Sequence, residues 1–300
     1  MATRADYLKL HFLVFLWGFS GILGKLVTIP AYEMVFYRSF LSAAGIAMVM
    51  LAVKEKFRIT RNQLINLLLT GSIVGVHWVA FFEAARVSNV SVSLVGFATN
   101  SLWTAILDPV FQKRPIKKFE IMLGLIVIFG LYIIFSFDFT YPLGLMLGVL
   151  AGFTSALFSS FNSRMVRTIP AYTISFYEMS GAFLTLGLFM PVYKAAFAPG
   201  NSLNLLPTGM DWLYMIILAG ACSVYAYTAA VELMKKISVF VIQLSLNLEP
   251  VYGIIMAVII FGSEEKMGIN FYLGTLIILS AVLAYPFLKK RFSEQVTLNP

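Results

Sequence analysis

Long apolar segments alternate with short polar ones along the whole chain. A transmembrane helix needs about 20 mainly apolar residues to cross a hydrocarbon core of roughly 30 Å. Segments of that length lie at about residues 8–27, 32–53, 63–85, 89–111, 118–136, 142–163, 172–194, 211–232, 237–261 and 268–288. Each is predicted to be helical, because unpaired backbone groups are costly in lipid and the alternating pattern of a membrane β-barrel is missing. The pattern predicts an all-α integral membrane protein with ten transmembrane helices.

Composition supports lipid as the main solvent of the chain. Apolar residues make up 60% of the 300 residues, charged residues make up 12%, and the mean hydropathy is +0.87. Soluble domains average roughly 45–50% apolar and about 25% charged residues. This balance excludes an ordinary cytosolic enzyme, a secreted disulfide scaffold and a disordered chain. Cys222 is the single cysteine, so an intramolecular disulfide and a multi-cysteine metal site are also excluded.

Positive charge predicts the orientation of the chain, because cytoplasmic loops carry an excess of Lys and Arg. With the N-terminus inside, the cytoplasmic segments hold most of the basic residues, namely Arg4, Lys9, Lys54, Lys56, Arg58, Arg61, Lys113, Arg114, Lys117, Lys118, Arg164, Arg167, Lys235, Lys236, Lys289, Lys290 and Arg291. The outer segments hold Arg86, Lys194 and Lys266. Both termini are therefore predicted to be cytoplasmic, in a multi-pass membrane protein.

An internal repeat divides the chain. The pentapeptide at residues 28–32 recurs at residues 168–172, and the Phe-Tyr pair at 36–37 recurs at 176–177. Further along the chain the offset grows from 140 to 150 residues. We expect the polar stretch at residues 198–209 to hold the extra residues.

The number of spans in each half predicts how the halves are related. Each half contains five predicted spans, and because five is odd the second half enters the membrane upside down relative to the first. The chain is therefore expected to form two inverted five-helix repeats, residues 1–140 and residues 141–300. Inverted repeats are typical of secondary transporters, whose substrate site lies near the membrane midplane between the halves. The sequence thus leads to the hypothesis of transport by alternating access.

Ionisable side chains inside predicted spans are costly and indicate function. Glu249 lies near the middle of the ninth span and is followed by Pro250, which removes a backbone donor. It is either a binding or proton-carrying acid or a buried carboxyl at a helix break. Arg38 and Glu178 lie at equivalent places in spans two and seven. They either pair with each other or hold the two ends of a zwitterion, and Glu249 and Glu178 are the candidates for proton or ion coupling.

Two polar stripes lie in corresponding spans of the two repeats. Span four carries Ser93 and Asn100, and span nine carries Gln243 and Asn247. The spacing puts each set on one helical face. We expect these faces to be walls of a shared cavity; the alternative is polar contact between packed helices.

Three further side chains complete the candidate binding residues. His77 in span three either titrates near neutral pH or packs through a hydrogen bond. Trp78 and Tyr252 lie deep in their spans, where they either line an amphipathic pocket or simply pack.

Signatures of enzymes and of ATP-driven pumps are missing from the sequence. It contains no H-E-x-x-H motif and no P-loop, and no Asp lies in the middle of a span. We therefore expect a protein that is not an enzyme, with no catalytic residues, no metal and no cofactor.

Several short motifs follow one another along the two repeats: Trp17-Gly18, Lys25, Arg38, Leu248-Glu249-Pro250-Val251, Gly262 and Glu264. Their order and spacing resemble the EamA-type family of the drug/metabolite transporter (DMT) superfamily, over about residues 8–288. The resemblance implies a ten-helix inner-membrane carrier with two inverted repeats of five helices. Members export amino acids and related metabolites through a central cavity, and some handle drugs or nucleobases.

The resemblance also implies functional roles for the residues that match the family pattern, which are Lys25, Arg38, Glu249 with Pro250, and Glu264. Two positions depart from that pattern. Asn100 stands where the first repeat often has Pro, so the two halves are not expected to be equally broken. Glu178 replaces a basic residue that Arg38 would lead one to expect.

The leading hypothesis is a secondary carrier that exports a small amphipathic metabolite, an amino acid or a close relative. Acidic contacts or a proton site are expected from Glu249 and Glu178, a carboxylate contact from Arg38, and hydrogen bonds from Ser93, Asn100, Gln243 and Asn247. The alternatives are an exporter of nucleobases or drug-like compounds and a non-transporting membrane scaffold. The expected partners are a small-molecule substrate and the lipid bilayer but not nucleic acid, and the expected state is a monomer or homodimer.

Overall fold

The computed structural model describes residues 2–135, 140–249, 251–253, 256, 259, 262 and 268–298. Every regular element in these residues is helical. The helices of the first half are α1 (Arg4–Leu26), α2 (Ala31–Ala52), α3 (Arg61–Val87), α4 (Val90–Phe97), α5 (Asn100–Gln112) and α6 (Lys118–Phe135). The helices of the second half are α7 (Pro142–Met165), α8 (Ala171–Ala196), α9 (Gly209–Ile217), α10 (Ala226–Leu233), α11 (Val239–Leu246) and α12 (Ile269–Leu298). A π-helical segment, Leu218–Tyr225, joins α9 to α10.

Short polar motifs begin the long helices. Thr60 caps α3 and Thr208 caps α9, each in a capping box with the residue three positions later, Gln63 and Asp211. In each capping box, both side chains accept hydrogen bonds from backbone N–H groups that the first helical turn leaves unpaired. These local signals fix where the spans start, and they recur at equivalent places in the two halves.

The repeated sequence makes equivalent tertiary contacts in both halves. The Tyr37 hydroxyl on α2 donates to the Leu205 carbonyl in the connection before α9 (2.9 Å). The Tyr177 hydroxyl on α8 donates in the same way to the Phe57 carbonyl before α3 (2.7 Å). Part of the expected insertion lies in the helix itself and not only at residues 198–209, because α8 has 26 residues where α2 has 22.

The fourth predicted span is not continuous, which corrects the expectation for residues 89–111. α4 ends at Phe97 and α5 starts at Asn100, while the equivalent α11 ends at Leu246 after the same eight residues. Both halves are therefore broken at this point, although the first has no proline there. In the first half Thr99 Oγ1 donates to the Gly96 carbonyl (2.9 Å), so a hydroxyl satisfies a carbonyl at the helix end.

Small residues bring the broken helices close to α7. A Cβ on Gly96 of α4 would lie 2.8 Å from the Cα of Gly148 on α7. A Cβ on Gly152 would lie 2.6 Å from Thr99 Oγ1. Glycine at these positions allows backbone contact, as is typical of helix interfaces in membranes.

The outer surface is apolar and the interior holds charged groups, which is the reverse of a soluble protein. Leu188 is 77% exposed, whereas Arg38 and Glu178 are 2% and 0% exposed. Within the described residues, five helical stretches are long and apolar enough to span a membrane: Arg4–Leu26, Ala31–Ala52, Arg61–Val87, Pro142–Met165 and Gly209–Leu233. The count of ten spans and the orientation of the termini stay predictions.

The connections between helices gather at two ends of the bundle. At one end, which we call the basic face, Lys236 Nζ pairs with Asp6 Oδ1 (2.9 Å) and Thr173 Oγ1 donates to the Lys56 carbonyl (3.3 Å). This face comprises the start of α1 and the connections at residues 53–60, 113–117, 166–170 and 234–238. At the other end, the opposite face, the connections at residues 27–30 and 197–208 meet the start of α9 and the end of α3.

Candidate functional site

A central cavity of about 70 Å³ lies between the two halves, with room for several water molecules. Its lining combines aromatic rings with a few polar groups. The residues that line it are Trp17, Ser20, Arg38, His77, Trp78, Phe81, Phe82, Phe97, Ser155, Phe158, Ser159, Asn162, Tyr227, Ala230, Val231, Met234, Ile242, Gln243, Leu246 and Glu249. Both repeats contribute, as the inverted-repeat hypothesis expects of a substrate cavity.

Arg38 projects from α2 into this cavity. Its Nε donates to Ser223 Oγ in the π-helical segment (3.1 Å), and its guanidinium carbon lies 4.0 Å from the ring centroid of Trp78 and 5.4 Å from that of Phe82. No carboxylate of the described residues lies within 4.0 Å of the guanidinium. The aromatic rings stabilise the cation without neutralising it.

Glu249 lies in the cavity wall and is 4% exposed. Its carboxylate has no hydrogen bond and no ion pair with the described residues. The backbone of α1 approaches it closely, since a Cβ on Gly18 would lie 3.1 Å from the Glu249 carbonyl oxygen. The cavity therefore holds one carboxylate and one guanidinium, and neither has a charged partner in the described part of the chain.

Glu178 lies behind the cavity wall. Its Oε2 accepts hydrogen bonds from the Tyr227 hydroxyl (2.7 Å) and from Asn162 Nδ2 (3.2 Å), and these two residues line the cavity in its place. No ion pair joins Glu178 to Arg38 in the described residues. Of the two alternatives from the sequence, direct pairing is therefore not what the structure has.

Two more of the predicted residues line the cavity through hydrogen-bonded side chains. Gln243 Nε2 on α11 donates to Ser159 Oγ on α7 (2.6 Å) and lies 3.2 Å from Ser155 Oγ. His77 Nδ1 donates to the Ala151 carbonyl (2.8 Å), which leaves Nε2 as the free ring nitrogen. Trp78 also lines the cavity, so α3 contributes two neighbouring residues, a histidine and a tryptophan.

Besides Glu178, four more predicted residues lie outside the lining of the cavity as the structure describes it. Ser93 donates to the Phe81 carbonyl (2.7 Å) and Asn247 donates to Ser101 Oγ (3.0 Å). Asn100 is fully buried, and its amide has no partner in the described residues. Tyr252 is half-buried, with its ring edge-on to Phe15 (5.9 Å between centroids). Ser93 and Asn247 thus make the contacts between helices that were the alternative for the two stripes.

Sequence reasoning missed the contribution of α7. Ser155, Ser159 and Asn162 line the cavity, and Tyr227 of α10 faces them. The signal was present as two serines at a spacing of four, which puts both on one face of a helix. Pro250 and Glu264, for which the resemblance implies functional roles, lie outside the described residues. In the described part of the chain, no group of three or more His, Cys, Asp or Glu side chains could hold a metal ion.

Comparison with known proteins bears on the fold and the family. No curated protein matches the sequence of the chain. Among solved structures, 27 chains match. One of them, described as "Crystal structure of protein", is 14% identical and matches with a TM-score of 0.72 over 96% of this chain and 99% of its own. At that identity the likeness shows a shared fold and nothing about the substrate.

The sequence model of the EamA-like transporter family matches twice, at residues 7–136 and 142–285. The two matches cover almost the whole chain, and they meet near the point where the internal repeat divides it. The chain therefore belongs to the EamA-like transporter family, whose members are multi-pass membrane transporters of the drug/metabolite type.

Proposed function

We propose that the protein is a secondary transporter that exports small amphipathic metabolites, amino acids or close relatives, across the cell (inner) membrane by alternating access. The observation that carries this proposal is the pair of opposite charges in the central cavity. Arg38 and Glu249 both line it, both are at least 96% buried, and neither has a charged partner in the described residues.

A zwitterion supplies both missing partners. A buried charge without a partner is costly, and the cost is lowest when an opposite charge and hydrogen bonds replace the lost water. The carboxylate of an amino acid fits Arg38, because a guanidinium binds carboxylates through two parallel hydrogen bonds. Its ammonium group fits Glu249. The aromatic lining around them suits the apolar side chain of the same molecule.

The cavity is small, and this fits a carrier that changes shape during transport. A volume of about 70 Å³ is well below the roughly 300–1,000 Å³ of typical ligand pockets. Substrate binding therefore requires one face of the bundle to open, as alternating access provides. With ten spans and both termini in the cytoplasm, the basic face is the cytoplasmic one.

Glu249 is the first candidate for coupling transport to protons, and Glu178 is the second. Glu249 faces the cavity directly, so a proton on its carboxyl and the ammonium of a substrate would compete for one site. Glu178 reaches the cavity through Tyr227 and Asn162, which donate hydrogen bonds to its carboxylate.

The test is uptake of a panel of labelled amino acids into liposomes that contain the purified protein, with and without a pH gradient. We expect saturable uptake of a subset of the panel. The Glu249→Gln and Arg38→Gln variants should each lose most of it while remaining folded. Glu232→Gln is the matched control, because Glu232 is exposed at the basic face and paired with Lys235 (2.9 Å).

Three outcomes would contradict the proposal. Full uptake by Glu249→Gln would remove Glu249 from the binding site. If no amino acid is taken up but nucleobases or drug-like compounds are, the transporter has another substrate class. If none of these compounds moves, the scaffold hypothesis becomes the better one.

A further inference from the structure

A second cavity, which we call the vestibule, opens at the basic face. Its volume is about 370 Å³. The end of α5 and the connection after it contribute Asp108, Arg114 and Lys117; the end of α7 and the turn after it contribute Ser163 and Arg167. The connection between α10 and α11 completes the wall.

Met234 separates the vestibule from the central cavity. It lies just after α10 and is the residue that lines both of them in the described part of the chain. Methionine is unbranched and has three rotatable bonds, so it can change rotamer without displacing the backbone. A side chain of this kind is suited to be a movable partition.

A polar stripe on α7 runs past this partition. Ser155, Ser159, Ser163 and Arg167 follow one another at intervals of four residues, which puts them along one face of the helix and the turn that follows it. Ser155 and Ser159 line the central cavity, whereas Ser163 and Arg167 line the vestibule. The stripe thus links the basic face to the substrate cavity.

One positive charge of the vestibule is left uncompensated. Arg114 pairs with Asp108 (2.7 Å) and lies 3.7 Å from Glu120, which also pairs with Lys117 (3.3 Å). Arg167 is exposed, and no carboxylate of the described residues lies within 4.0 Å of it. The surplus charge of this cavity therefore lies at Arg167.

The opposite face is closed by a direct contact between the two halves. Asp211 Oδ1 at the start of α9 accepts from the Thr28 backbone N–H (2.7 Å), and Asp211 Oδ2 accepts from the Thr28 hydroxyl (2.7 Å). The equivalent residues at the basic face, Gln63 and Thr168, make no such bond in the described structure. The contact that joins the two halves at the opposite face thus has no counterpart at the basic face in the described residues.

We propose that the vestibule is a second binding site, at which Arg167 captures the carboxylate of a substrate before the substrate passes Met234 into the central cavity. The identity of the ligand rests on the proposed function. The preference of the site for anions does not, so the two can be tested separately.

Anion preference can be measured without knowing the substrate. Ser238 lies in the vestibule wall and is exposed, so Ser238→Cys in a Cys222→Ser background gives one reactive thiol there. The protein in phosphatidylcholine vesicles is treated with the sulfonate-bearing and the trimethylammonium-bearing methanethiosulfonate reagents, and the ratio of their rates is measured. A positive unit charge about 6 Å away in water raises the local concentration of a monovalent anion about threefold and lowers that of a monovalent cation about threefold. Removing the charge should therefore lower the ratio of the sulfonate rate to the trimethylammonium rate about tenfold.

The variant that should lower the ratio is Arg167→Gln, and its matched control is Arg164→Gln. Arg164 lies one turn earlier, is exposed and does not line the vestibule. We expect the control to leave the ratio within about twofold of the parent, since a more distant exposed charge is screened. Equal effects of the two variants would overturn the proposal, because they would show only the general charge of the basic face.

A lipid phosphate carries the same negative charge as a substrate carboxylate, and a second arm separates the two. The rate ratio is measured again in vesicles with phosphatidylglycerol added. If a headgroup fills the vestibule, the anionic lipid will abolish the difference between Arg167→Gln and its parent, and the site belongs to lipid. If the difference persists, the site is open to a soluble anion.

Transport supplies the last arm. Arg167→Gln should raise the KM for a labelled amino acid about threefold with little change in kcat, because the site is occupied before the transport step. Uptake of the amine that results from decarboxylating that amino acid should not change. Loss of kcat for both compounds would overturn the capture role, and absence of uptake by the parent protein would count against the proposed function while leaving the labelling result valid.

Discussion

The guanidinium carbon of Arg38 lies 4.0 Å from the centre of the Trp78 ring, so the two residues form a cation–π pair in the wall of the central cavity. A single helix contact, from α2 to α3, sets this geometry. A carboxylate in the place of Trp78 would neutralise the guanidinium, whereas an aromatic ring holds it in position and leaves it free to bind an anion. The pair therefore stabilises the buried guanidinium of Arg38 and leaves it available to bind an anionic group.

Removal of the ring should weaken substrate binding. A buried cation–π contact is worth roughly 2 kcal/mol, so Trp78→Ala should raise the KM for a transported amino acid by about tenfold or more. Trp78→Phe should recover part of the loss, because a phenyl ring attracts a cation less strongly. The measurement is the concentration dependence of uptake into liposomes. An unchanged KM for Trp78→Ala would mean that Arg38 does not bind the substrate.

The Tyr227 hydroxyl should stabilise the fold by satisfying Glu178. Tyr227→Phe leaves the fully buried Glu178 Oε2 with one donor, Asn162, and removing a hydrogen-bond partner of a buried polar group costs about 1–3 kcal/mol. We expect the thermal midpoint in detergent to fall by several degrees. Tyr272→Phe is the control, since Tyr272 is 47% exposed.

A double variant tests whether Tyr227 acts through Glu178. Glu178→Gln removes the carboxyl that accepts from Tyr227, so adding Tyr227→Phe should then cost less than it does alone. Additive losses would indicate that the tyrosine stabilises the protein by some other contact.

Close approach of α3 and α8 should make Gly71 sensitive to any side chain. A Cβ on Gly71 would overlap the backbone carbonyl of Glu178, which cannot rotate away as a side chain would. Gly71→Ala should therefore cost about 1–3 kcal/mol by forcing the helices apart. Gly220→Ala, where a Cβ meets nothing within 4 Å, should be nearly neutral. The readout is again the thermal midpoint, and equal shifts for both variants would refute the packing argument.

The helices α3 and α9 occupy equivalent places in the two repeats, so the stability effects of their capping residues can be compared. Gln63→Ala removes one of the two hydrogen bonds of a capping box at the basic face and should cost about 0.5–1 kcal/mol. Asp211→Ala removes a capping box and also both hydrogen bonds to Thr28, so it should cost more, about 2–4 kcal/mol.

The difference between these two variants measures the contact that closes the opposite face. Asp211→Asn should fall between them, because the amide keeps one acceptor oxygen. If Gln63→Ala and Asp211→Ala shift the thermal midpoint equally, Asp211 acts only as a helix cap.

The sequence by itself determined the class of the protein and its repeat. Hydropathy is a local property, so long apolar segments indicate helices in lipid wherever they later pack, and the identity of residues 28–32 with 168–172 needs no fold to be seen. The burial of Arg38 and Glu249 followed in the same way, because both lie inside apolar segments. Arg38 and Glu249, which have no charged partner among the described residues, were already candidates.

Only the tertiary structure decided which face of each helix meets the cavity. Ser93 and Gln243 looked equivalent in sequence, yet Ser93 bonds to the Phe81 carbonyl while Gln243 lines the cavity with the serines of α7. The break between α4 and α5 also escaped prediction, because no proline marks it in the sequence, and the Thr99 hydroxyl and the close contact with Gly152 of α7 are seen only in the fold. Helix rotation and contacts such as that of Thr28 with Asp211, 183 residues apart, depend on packing between segments, and a local pattern does not encode them.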